Sequence, residues 1–126
     1  MTKLTSQLQP KKILVIDDDK EIVEVVEIVL MSSGFDVYAH PNGLNVLQII
    51  QSYIPDLILL DINLGSKSGI DICKELKKDI DTPILLFSAR PRETIPLKDC
   101  KADDLISKPF DNKTLVTTIQ HYLNRN

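Results

Sequence analysis

The chain contains no tryptophan, only two cysteines, and no apolar run long enough to cross a membrane. Its longest apolar stretches are cut by charges within about ten residues, whereas a spanning helix needs ~20. The opening segment MTKLTSQLQPKK lacks the apolar core of a signal peptide. A cytoplasmic protein is therefore the default expectation. Cys73 and Cys100 form no CxxC pair, and no histidine flanks them at metal spacing. Two such thiols in a reducing compartment are expected to be small buried side chains. A basic excess is also missing: the net charge of −3 argues against direct nucleic-acid binding. Repeats, low-complexity tracts and an interdomain linker are absent too. At 126 residues, with 43% apolar and 26% charged side chains, the composition fits one globular domain.

Four short apolar runs each end on a polar residue, and these endings carry most of the functional signal. The runs ILVIDDD at 13–19, LILLD at 57–61, ILLFS at 84–88 and LISK at 105–108 deliver Asp17, Asp18, Asp61, Ser88 and Lys108. In an open parallel sheet the carboxyl ends of the strands gather on one edge, which is where such folds bind ligands. Three carboxylates, a hydroxyl and an ammonium on that edge point to a divalent cation and a phosphoryl group.

Periodicity supplies the sheet. Residues 1–10 are polar and read as a flexible lead-in, so the domain spans 11–126. Lys11–Ile16 reads as a strand, followed by a helix over about 20–33 with Ile22, Val25, Val26 and Val29 on its apolar face. Asp19 suits its N-cap and Gly34 its stop. Phe35–Ala39 reads as a second strand, and residues 44–53 as a helix with Leu44, Leu47, Ile50 and Gln51 aligned. Leu57–Leu60 suits a strand buried on both faces. A polar loop over 65–69, a helix over 70–78 burying Ile70, Cys73 and Leu76, and strands at 84–87 and 105–107 follow. A last helix beyond Asp111 aligns Leu115, Ile119, Tyr122 and Leu123. Pro91 and Pro96 fall where a fourth helix belongs, so that helix is expected to be short or displaced. The alternation predicts an α/β fold: a doubly wound, five-stranded parallel sheet between helices.

Clustered aspartates raise one another's pKa, and a hard cation resolves that conflict. Mg²⁺ prefers oxygen ligands and keeps several waters. The plainer reading, that Asp17, Asp18 and Asp19 only cap a helix, fits Asp19. It does not fit Asp18 together with Asp61, which end two separate strands. Charge is also uneven: residues 1–87 hold 8 basic and 13 acidic side chains, residues 88–126 hold 7 and 5. A cation among the acids would relieve repulsion. Asp61, held by four preceding apolar residues, is placed to attack phosphorus and form an acyl phosphate.

The stretches ILVIDDDKEI, PDLILLDINL, TPILLFSA and ADDLISKPF resemble the receiver domain of two-component response regulators, the chemotaxis regulators among them. The resemblance runs from about Lys11 to the C-terminus. It implies a flavodoxin-like sheet of order 2-1-3-4-5, with Asp61 as phospho-acceptor and Asp17 and Asp18 as the Mg²⁺-holding pair. It further implies the backbone carbonyl of Asn63 as a metal ligand, Ser88 as the switch hydroxyl and Lys108 as the phosphate partner. Asn63 and Arg90 would flank the water path and tune the phosphoryl lifetime. The implied partners are a histidine kinase or histidine phosphotransfer protein as donor, and a downstream protein or a missing output domain. A phosphorylation-dependent dimer is a further implied assembly, and no membrane contact is expected.

Three features depart from that pattern. Leu105 stands where the family often has an aromatic ring that swings with the hydroxyl residue. Gly65 replaces a common proline, and the stretch between Ser88 and Lys108 is about two residues short. Two rival readings follow. A haloacid-dehalogenase-type phosphohydrolase would use Asp17 as nucleophile, but it needs an acidic pair after the lysine, where only Asp111 lies, and leaves Asp61 idle. A receiver-like interaction module that never takes phosphate would leave the acids, hydroxyl and lysine without a task.

Overall fold

Parallel pairing gathers the strands as the alternation predicts. In the computed structural model, which describes residues 9–125, they are β1 (Lys12–Ile16), β2 (Asp36–His40), β3 (Leu57–Asp61), β4 (Ile84–Ser88) and β5 (Asp104–Ser107). They form one parallel sheet in the order β2-β1-β3-β4-β5. This is the flavodoxin-like order. Most of the expected lead-in, residues 1–8, lies outside the described residues.

Side chains alternate across the sheet and build a core on each face. Leu14, Ile16, Ile58, Leu60, Ile84 and Leu86 point to one side, against α2 (Val46–Tyr53), α3 (Gly69–Leu76) and α4 (Leu97–Cys100). Ile13, Val15, Leu57, Leu59, Leu85 and Phe87 point to the other, against α1 (Lys20–Ser32) and α5 (Asn112–Leu123). Strands β3 and β4 are buried along their whole length, as their continuous apolar runs require. Cys73 and Cys100 are buried free thiols. Among the described residues no helix is long and apolar enough to cross a membrane.

Two helix faces differ from the sequence reading. On α1 the buried residues are Val26 and Leu30, and Val25 is 46% exposed. The apolar sequence there is wider than the contact stripe, so spacing alone assigned Val25 to the wrong side. On α2 the buried residues are Val46 and Ile50, whereas Leu44 is 55% exposed and Gln51 is also exposed. The cause is local: Asn45 takes a left-handed conformation (φ 57°) and the Leu44 N–H donates to Asn42 Oδ1. That turn delays the helix to Val46 and rotates its face.

The loop over 65–69 also holds more structure than expected. Asn63–Leu64 pairs antiparallel with Lys67–Ser68 around Gly65, whose φ of +72° suits glycine. Between β4 and β5 the prolines act as anticipated. Pro91 opens a single 3₁₀ turn, Arg92–Thr94, and Pro96 opens α4, which is only four residues long.

Candidate functional site

Hydrogen bonds that extend the sheet ladder fix the backbone on which the site is built. Asp17 N–H donates to the His40 carbonyl (3.1 Å), Ile62 N–H to the Phe87 carbonyl (3.1 Å) and Lys108 N–H to the Ser88 carbonyl (2.8 Å). The polar residues at the strand ends therefore inherit the rigidity of the sheet. Asp17, Asp61 and Ser88 are only 1%, 5% and 1% exposed, while Asp18 is open to solvent.

The structure brings together the strand-end residues singled out in the sequence. One carboxylate oxygen each from Asp17, Asp18 and Asp61 lies within 4.8 Å of the others. Lys108 Nζ stands 3.0 Å from Asp17 Oδ2 and 3.5 Å from Asp61 Oδ1. Its ammonium also lies 5.5 Å from the centre of the Phe87 ring. Ser88, Asn63, Arg90 and Lys67 share the surrounding pocket with Asp18, Asp61 and Lys108. Burial pushes the Asp61 carboxyl up to about 6; the Asn63 N–H lowers it, Asp17 raises it and Lys108 lowers it. Asp61 thus sits in a site that resists its own charge.

Each neighbouring group has a visible task. The Asp17 carboxylate accepts from Asp19 N–H at 2.9 Å, and Asp61 accepts from Asn63 N–H at 3.2 Å. Asp19 caps α1, accepting from Glu21 and Ile22 N–H. Its role is that of the helix cap. A hard, oxygen-preferring cation fits this donor set, because two of the three acids are buried and their oxygens converge.

The sequence model of the response regulator receiver domain family matches residues 13–120. The chain belongs to that family. The receiver is 31% identical to the N-terminal domain of the nisin resistance regulator NsrR, over 92% of this chain and 100% of that one, with a TM-score of 0.82. It is 27% identical to the BeF₃-activated N-terminal receiver domain of RstA from Klebsiella pneumoniae, over 91% and 100% of the two chains, with a TM-score of 0.85. It is 26% identical to the chemotaxis response regulator CheY4 of Vibrio cholerae, over 90% and 99%, with a TM-score of 0.83.

One residue that shapes the receiver's site is missing from the sequence reading. Gly69 opens α3 against the backbone of Asp61 and Ile62. A Cβ at this position would collide with the Asp61 carbonyl oxygen and lie 2.7 Å from Ile62 Cα. Its N–H donates to the Ile62 carbonyl at 2.9 Å. No local pattern signals such a contact, which arises only when α3 folds back onto the end of β3. Lys67, in a segment whose sequence reads as a polar loop, also lines the pocket.

Proposed function

We propose that this receiver is a phosphorylation-dependent signalling switch whose phospho-acceptor is Asp61. The observation that carries the reading is the convergence of Asp17, Asp18 and Asp61 with Lys108 at the ends of separate strands. A phosphohistidine of a histidine kinase or phosphotransfer protein is the donor. An Asp61 oxygen attacks phosphorus, the phosphorus–nitrogen bond to the donor imidazole breaks, and the imidazole takes up a proton as it leaves. The product is an aspartyl phosphate.

Asp17 and Asp18 with Asp61, and the Asn63 carbonyl, would hold Mg²⁺. When bound, that ion supplies positive charge that offsets both the acids and the phosphoryl oxygens. Lys108, poised between Asp17 and Asp61, turns to pair with the phosphoryl group. Ser88 donates its hydroxyl proton to a phosphoryl oxygen. Asn63 and Arg90 stand beside the path of the hydrolytic water and set the lifetime of the bond. The chain catalyses only its own phosphorylation and dephosphorylation, and does so in the cytoplasm. Modification shifts a pre-existing two-state equilibrium, which a protein partner or an output domain reads.

Incubation with Mg²⁺ and acetyl phosphate tests this. Acid-labile, hydroxylamine-sensitive label is expected in the wild type and lost in Asp61→Asn. Label that survives in Asp61→Asn but vanishes in Asp17→Asn, with fast turnover, would support a phosphohydrolase instead. Complete absence of label in every variant would support a silent interaction module.

A further inference from the structure

The segment after Ser88 ties the proposed phosphoryl site to the far end of α5. The Ser88 Oγ accepts from Arg90 N–H at 2.9 Å, which leaves its own proton free to donate elsewhere. The Arg90 guanidinium donates to the Thr94 carbonyl at 2.8 Å. Between them lies a tight unit: Thr94 N–H and Thr94 Oγ1 both bond the Pro91 carbonyl, at 3.0 and 2.7 Å. Ile95 N–H bonds the Arg92 carbonyl at 3.0 Å, and the Ile95 side chain is buried in the core. Residues 90–95 therefore form one hydrogen-bonded unit, anchored in the core by Ile95.

That piece carries Arg92, whose guanidinium donates to Asp104 Oδ1 at 2.8 Å at the start of β5. The other Asp104 oxygen accepts from the Tyr122 hydroxyl on α5, also at 2.8 Å. Arg125 lies 4.9 Å above the Tyr122 ring. Burial alone would raise the Asp104 carboxyl, but Arg92, the Leu105 N–H and the Tyr122 hydroxyl outweigh it and hold it below the usual range. Leu105 is buried and aliphatic, so no ring at that position can swing with Ser88. A polar path does run from Ser88 through Arg90 and Arg92 to Asp104 and Tyr122.

We infer that Arg92, Asp104 and Tyr122 form a clasp that holds the unphosphorylated conformation and opens when Ser88 turns to the phosphoryl group. This rests on the proposed phosphorylation of Asp61. Movement of the Ser88 hydroxyl draws Arg90, the 90–95 unit follows, and Arg92 leaves Asp104. Tyr122 and the end of α5 then change their packing, which gives a partner something to read. By linkage, a clasp that favours the resting state must weaken phosphoryl-analogue binding by the same factor. The Arg92 pair is partly exposed, so its loss is expected to tighten beryllofluoride binding only about two- to five-fold.

Tyrosine-labelled protein makes the clasp visible by NMR, because the chain has only three tyrosines, Tyr38, Tyr53 and Tyr122. Tyr122→Phe assigns the signal. Adding Mg²⁺ and beryllofluoride should shift Tyr122, and Arg92→Ala should move the ligand-free signal toward the bound position. Arg92→Ala should also lower the beryllofluoride midpoint, and Arg92→Lys should restore much of it. A Tyr122 signal that stays still while the amides of Asp61 and Ser88 respond in a uniformly ¹⁵N-labelled sample would overturn the clasp and leave the switch standing. If neither the amides nor Tyr122 respond, both readings fall.

Discussion

The proposed role of the Asp61 carboxyl sets function against stability. Its pKa is about 6 in the folded protein against 3.8 unperturbed, chiefly because it is buried. Between those values the folded state binds more protons than the unfolded chain, so stability falls as pH rises through that window. Above about pH 6 the whole penalty stands, about 3 kcal/mol. Asp61→Asn should therefore unfold at higher urea than wild type near neutral pH, with the advantage fading toward about pH 4. Equal urea midpoints at both pH values would count against this assignment. Added Mg²⁺ should stabilise the wild type, and stabilise the Asp61 variant less.

Single elements show how much was legible in the chain. Strand ends were readable because a buried parallel strand is a continuous apolar run and its polar ending is abrupt; Asp61, Ser88 and Lys108 stand where those endings place them. Helix faces were less so. Val25 and Leu44 are apolar at helical spacing, yet a surplus of valines on α1 and the left-handed Asn45 before α2 decided which side packs. Contacts between distant residues left no trace at all in the pattern. Gly69 against Asp61, and Arg92 with Asp104 and Tyr122, exist only because separate segments meet. Gly69→Ala should displace the end of β3 and slow labelling of Asp61 by acetyl phosphate at least tenfold, while Gly34→Ala, which strains a φ of +91° but puts no atom near the site, should lower stability and leave labelling unchanged. Similar rates for the two variants would remove Gly69 from the site.

The opposite edge of the sheet is held by an ion pair. Lys77 Nζ, mostly buried, bonds Asp103 Oδ2 at 2.7 Å and the Thr82 carbonyl at 2.9 Å, and the same Asp103 oxygen accepts from Ile84 N–H. This joins the end of α3 to the starts of β4 and β5. Lys77→Met strands a largely buried carboxylate and should cost about 2–4 kcal/mol in chemical unfolding. A change below ~1 kcal/mol would show that the pair is as weak as an exposed one.

At the scale of the whole molecule, the doubly wound sheet divides the work. One edge holds the acids, hydroxyl and ammonium on rigid strand ends. The other holds the ion pair that anchors α3, and the shortened stretch after Ser88 runs between the two. The unusual part of this receiver is therefore that connecting stretch, whose prolines leave one 3₁₀ turn and a four-residue helix. At the strand ends Asp17, Asp18 and Asp61 converge beside Lys108. In the proposed switch the phosphoryl bond forms on one particular carboxylate, that of Asp61. The most direct measurement is borohydride reduction after treatment with Mg²⁺ and acetyl phosphate, since this converts an aspartyl phosphate into homoserine. Peptide mapping should find homoserine at position 61 and nowhere else in the site. Homoserine at position 17 or 18, with Asp61 intact, would contradict the account.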